Sequence, residues 1–180
     1  MSNTKMANRC GLDLKVFAYN ADGSTNESPL ATIDFANEVV IDLTSDVSWA
    51  TGGSKHRKIV GFNNPIEGTL KLSTQMVTME LLALITGDDA STVSKKVSFK
   101  DSDKASTSYI IKGETVWVAE DGTSYAETIT AYKACPKKNY NVTYNGDGDP
   151  QTLEVEFELS ANASNLVMDI ERDAATATDA

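Results

Sequence analysis

The sequence predicts a mainly β fold: an antiparallel sandwich or barrel with one short flanking α-helix. Three observations lead there. Apolar and polar residues alternate with period two over much of the chain, the pattern of strands with one buried and one wet face. Asp121-Gly122 falls between two such runs, a strong signal for a tight hairpin. One stretch, from Met76 to Ile85, abandons alternation for a nearly continuous apolar surface with helical character.

The elements follow in order. Residues 1–10 are polar and read as a mobile arm. LKVFAYN (14–20) reads as a strand, and 21–29 as a loop of turn formers. Residues 30–43 read as one long strand, or as two with a bend at Ala36-Asn37. The stretch 44–58 breaks the pattern and reads as a long loop, with Gly52-Gly53 followed by the basic cluster Lys55, His56, Arg57, Lys58. Asn63-Asn64-Pro65 marks a turn. Alternation then resumes over 66–73, with Ile66, Leu70 and Leu72 on one face.

A helix over about 74–86 comes next. Ser73 or Thr74 serves as its N-cap and Gly87 ends it. A helix so short and so apolar is not stable by itself, so it must be buried. Strands follow at 92–100, 107–113, 115–121 and 124–134. QTLEVEFELSA (151–161) is the clearest of all: Leu153, Val155, Phe157 and Leu159 alternate with Glu154, Glu156 and Glu158. A last strand is expected at 165–171, and 172–180 reads as a disordered tail. There is no repeat of solenoid period and no domain boundary, so residues 1–180 are expected to form one domain.

Composition narrows the function. The 180 residues carry a formal net charge of −10, which argues against a grip on nucleic acid, since phosphate binding needs a positive face. No apolar run approaches the ~20 residues of a membrane span, so no membrane insertion is expected. The opening MSNTKMANRCG has no apolar signal core. Cys10 and Cys135 lie in no C-x-x-C arrangement. They read as two reduced thiols, or as a disulfide if their strands prove to be neighbours.

No catalytic constellation is apparent. The single histidine, His56, sits in the basic cluster with no nucleophile motif near it. Gly52-Gly53-Ser54-Lys55 lacks the first glycine of a phosphate loop. NGDGDP (145–150) lacks the downstream glutamate of a calcium loop and reads as a turn. No metal, no cofactor and no enzymatic activity are expected. Two features instead suggest contacts. Trp49 is a large apolar side chain in a Gly/Ser-rich stretch, where it needs cover. The basic cluster beside it suits an acidic partner surface, which another copy of this acidic chain could supply.

VGFNNPIEGTLKLSTQMVTMELLALITG (60–87) resembles the tail tube, or major tail, proteins of tailed bacteriophages. The shared pattern is a strand, a turn, a G-x-L-x-L strand and a short Met- and Leu-rich helix ending in Thr-Gly. These proteins are similar in fold to the tube proteins of contractile injection systems and type VI secretion. The resemblance covers the central third of the chain, and elsewhere only the order of elements. It implies a structural subunit of the virion, made in the host bacterial cytoplasm. Six copies would form a ring, and stacked rings a tube that conducts DNA. Sheath, tape measure, baseplate and tail terminator proteins would be further partners.

On this reading Trp49, Lys55, His56, Arg57 and Lys58 lie on a loop that reaches the next ring, disordered in the monomer and ordered in the tube. Glu154, Glu156 and Glu158 form an acidic lumen face past which DNA slides. Two other readings share the composition: another β-rich virion protein, such as a decoration or baseplate component, and a carbohydrate-binding sandwich.

Overall fold

The computed structural model describes residues 6–8, 11–25, 28–33, 36–53, 56–87, 95–99, 107–138, 140–142 and 152–174. Among them are twelve strands and one helix. The first strands are β1 (Met6–Asn8), β2 (Asp13–Ala18), β3 (Ala31–Ile33) and β4 (Ala36–Thr44). Next come β5 (Val47–Gly52), β6 (Arg57–Asn63), β7 (Glu67–Thr74) and the helix α1 (Met79–Thr86). The remaining strands are β8 (Tyr109–Ala119), β9 (Ser124–Pro136), β10 (Asn141–Val142), β11 (Leu153–Leu159) and β12 (Met168–Ala174).

Ten strands form one antiparallel sheet with the path β3-β2-β8-β9-β11-β7-β4, and β5 and β6 form a separate pair. The long strands β8 and β9 change partners along their length. β8 pairs β2 over Tyr109–Glu114 and β1 over Trp117–Ala119. β9 pairs β12 over Tyr125–Ala131 and β11 over Ala134–Pro136. The sheet curls on itself. Leu14 and Val16 from one end of the path share a core with Leu70, Leu72, Val155 and Phe157, and Val39 and Ile41 of β4 pack against it.

Alternation is borne out in the strands that matter most. Leu153, Val155, Phe157 and Leu159 are buried, while Glu154 and Glu158 are exposed and Glu156 is half-buried. Asp121-Gly122 turns β8 into β9. Gly122 has φ 85°, a left-handed conformation that glycine adopts without strain. The Asp121 carboxylate accepts from the Thr123 amide at 2.9 Å, and this bond lowers its pKa below the ordinary value. The bend expected at Ala36-Asn37 is a register irregularity in β4 between Ala36 and Glu38.

The helix is shorter than the sequence predicts. Ser73 and Thr74, expected at its cap, are the last residues of β7, paired with Glu154 and Leu153. The Thr74 hydroxyl accepts from the Met76 amide, and the connector carries Met76 and Val77 exposed. Thr78 is the true N-cap, its hydroxyl accepting from the Leu81 amide at 3.2 Å. Gly87, at φ 75°, closes the helix with its N–H on the Ala83 carbonyl. Leu81, Ala83, Leu84 and Ile85 are buried, so the helix plugs the curled sheet. Strand pairing won over capping because it satisfies backbone groups that would otherwise be buried bare.

Four further expectations need correction. Residues 6–8 are not a loose arm but a strand on β8, and 172–174 are not tail but the end of β12. Residues 95–99 form no strand, although Val97 packs on the core. Ile66 is exposed, unlike Leu70 and Leu72, because β7 begins only at Glu67. The NGDGDP turn and Cys10 lie outside the described residues. Cys135 is a free, half-buried thiol whose Sγ donates to the Thr107 carbonyl.

Candidate assembly surfaces

The stretch expected as a loop at 44–58 instead finishes β4, forms all of β5 and begins β6. Val47, Trp49 and Thr51 alternate with small residues, which suits a strand, and Gly53 at φ 76° and His56 at φ 48° turn the chain. The pairing runs Val47 to Asn63, Ser48 to Phe62, Trp49 to Gly61 and Ala50 to Val60, then shifts register to bring Thr51 to Lys58.

Gly61 has a packing role. A Cβ there would stand 3.2 Å from Trp49 Cζ3 and 3.1 Å from Val47 Cγ1, so the bare backbone lets the indole lie across β6. Lys58 sits over the ring, its Nζ 5.1 Å from the centroid. Val47, Trp49 and Lys58 thus share one face, and Phe62 and Val60 occupy the other. Both faces are wet: Trp49 is 47% exposed, Phe62 58% and Ile59 64%. A two-stranded ribbon is marginal in water by itself, and this one exposes apolar side chains on both sides.

Of the residues singled out in the sequence, Trp49, Arg57 and Lys58 lie on this hairpin and His56 in its turn. Lys55 lies outside the described residues. The apolar residues Ile59, Val60 and Phe62 belong to the same hairpin and were not singled out. Their signal was visible in RKIVGFN, but which side of the ribbon each occupies depends on the bulge.

The second surface is the outer face of β4, β7 and β11. Register aligns Glu38, Ser73 and Glu154 in one row, then Val40, Lys71 and Glu156, then Asp42, Thr69 and Glu158. Thr44 and Glu67 add a partial fourth row. The carboxylate ladder of β11 is therefore one edge of a wider acidic face that also holds Glu38, Asp42 and Glu67. Two hollows of about 310 and 400 Å³ indent it. Lys137 donates to Glu156 at 2.7 Å. That bond, with lesser help from the charges of Lys137 and Lys71, holds the Glu156 carboxyl below its ordinary pKa and raises that of Lys137. Alternation identified Glu154, Glu156 and Glu158. It could not reveal which strand lies beside them.

A third feature lies where the first and last strands meet. Glu127 is buried and paired with Arg172 of β12, whose Nε donates to it at 3.0 Å. The same guanidinium lies 4.9 Å from the Trp117 ring centroid and touches Met6 Sδ. It therefore ties β12 to β9, β8 and β1. Among the described residues no group of three or more His, Cys, Asp or Glu could hold a metal ion. Among the same residues no helix is long and apolar enough to cross a membrane.

No family model matches the chain, and no curated protein matches it. Among solved structures it is similar to one titled "Crystal structure of Hcp protein". That match has 14% identity over 89% of this chain and 97% of the other, with a TM-score of 0.37. A superposition this loose does not bear on function.

Proposed function

We propose that the chain is a structural subunit that assembles with copies of itself into a tube, as in the tail of a bacteriophage. The β5–β6 hairpin carries this reading. It stands apart from the main sheet and exposes Trp49 on one face and Phe62 on the other. An isolated hairpin of this kind gains stability when neighbouring copies cover it. The resemblance of residues 60–87 to tail tube proteins supports the same conclusion, and from it come rings of six copies, stacking and a virion location.

In this arrangement the hairpin reaches the next ring, with Trp49 as its apolar anchor and His56, Arg57 and Lys58 as its polar contacts. The acidic face around Glu154, Glu156 and Glu158 lines the lumen. Carboxylates repel phosphates, so DNA passes without sticking. Sheath, tape measure, baseplate and terminator proteins are the further partners of such a tube.

Negative-stain electron microscopy of the purified protein, concentrated at moderate salt, tests the reading. Rings or hollow tubes of uniform width are expected. Protein that stays monomeric at every concentration would overturn it.

A further inference from the structure

Neither face of the β5–β6 hairpin is covered. Each residue of the two strands is exposed except Gly52, which is half-buried, and the strands pair only with each other. Val47 and Trp49 lie on one face and Val60 and Phe62 on the other, all of them large apolar side chains in water. The charge is as uneven as the polarity. Residues 47–63 hold no Asp or Glu, and Lys55, His56, Arg57 and Lys58 cluster toward the turn, in a chain of net charge −10.

We propose that the free hairpin binds the headgroup layer of an anionic lipid membrane. Two observations carry this. The first is that apolar side chains stand on both faces. A protein surface covers one face of a ribbon and leaves the other wet, whereas a headgroup layer surrounds it. Tryptophan suits that layer, with an apolar ring and an N–H that stays hydrated. Lys58 above the Trp49 ring places a cation at the same depth. The second observation is the separation of charge. The six residues of β5 span about 20 Å. The basic turn therefore stands more than two Debye lengths, of about 8 Å each at physiological salt, from Asp46 and Glu67 at the base of the hairpin. Repulsion between those carboxylates and the lipid is screened while the turn meets the surface. The outer backbone edges of the ribbon have no strand partner, which confines it to the wet headgroup layer, so it adsorbs and does not cross. The proposal does not depend on the subunit reading. A hairpin covered by a second copy is closed to lipid, so membrane binding belongs to chains whose hairpin is free.

Flotation of the full chain with vesicles tests this, below the concentration at which it assembles. One set is pure phosphatidylcholine and the other equimolar phosphatidylcholine and phosphatidylglycerol. Binding to the anionic set is expected, and it should weaken as salt is added. Tryptophan emission should shift to the blue on binding, and the Trp49→Phe chain should lack that shift. Arg57→Gln combined with Lys58→Gln should weaken binding by roughly tenfold or more. Trp49→Ala combined with Phe62→Ala should weaken it by a similar factor. All four residues are exposed, so the substitutions do not burden the fold, and circular dichroism melts verify it.

Wild-type chain that stays in the aqueous fraction at low salt overturns the proposal. So does flotation with unshifted emission, which marks adsorption by charge alone, and so does equal binding by the chain lacking both Trp49 and Phe62. Sedimentation without vesicles reads assembly separately. Tubes formed by a chain that ignores lipid leave the subunit reading standing and overturn this one. A chain that binds anionic vesicles through the hairpin but never assembles supports this proposal and overturns the subunit reading.

Discussion

The Lys58 ammonium rides 5.1 Å above the Trp49 ring centroid, on a ribbon whose strands are joined to the body only at one end. Cation and indole present themselves together, as one amphipathic patch that is half wet in the single chain.

Trp49→Ala is therefore expected to leave the monomer's thermal stability within about 0.5 kcal/mol of wild type, since exposed positions away from the core change little. Its effect should appear in assembly, as a higher critical concentration. A melt by circular dichroism paired with sedimentation separates the two. Equal assembly by the variant and the wild type would remove Trp49 from the contact.

The clasp between Arg172 and Glu127 makes a prediction about stability alone. Arg172→Met leaves a buried carboxylate without its partner. Because Arg172 is partly exposed, the cost should be about 1–3 kcal/mol, less than for a fully buried pair. Glu127→Leu combined with Arg172→Met should recover most of it, since replacing both partners removes the uncompensated charge. Denaturant unfolding of the full cycle reads the coupling. Additive costs would show that the pair does not act as a unit.

Glu156 should titrate below its ordinary value of 4.5. The sign follows from the bond to Lys137. A depressed carboxyl pKa gives stabilisation that is present above the unfolded value and lost as pH falls through the folded one. The raised Lys137 gives its share below the unfolded lysine pKa, and that share is lost as pH rises through the folded value. Both groups are at the surface, so the effect on stability is small and salt-sensitive. Carbon-detected NMR of the Glu156 carboxyl checks it: Lys137→Met should move the midpoint upward. An unmoved midpoint would assign the shift to another cause.

The helix cap separates Thr78 from Ser73, one of the two caps expected from the sequence. Thr78→Ala should cost about 1 kcal/mol, because it strands the Leu81 amide. Ser73→Ala, on the outer face of β7, should cost less than about 0.5 kcal/mol. Chemical denaturation of both variants settles which residue starts the helix, and a larger loss at Ser73 would contradict the cap geometry.

The periodic features were legible along single segments of the chain. Alternation in LEVEFEL assigned Leu153, Val155, Phe157 and Leu159 to the core, because successive side chains on a strand point to opposite faces whatever lies beside it. Asp121-Gly122 announced its hairpin for an equally local reason, the backbone freedom of glycine at φ 85°. What lay beyond local geometry belonged to the tertiary structure. Register placed Glu38 and Ser73 beside Glu154, and folding brought Arg172 to Glu127 across 45 positions of sequence. Pairing with β11 claimed Thr74 for a strand and moved the helix start to Thr78. The pairing of Trp49 with Gly61 turned an expected loop into a ribbon with two apolar faces. Each of these depends on which backbone groups find partners far along the chain, and periodicity within a single segment does not encode that choice.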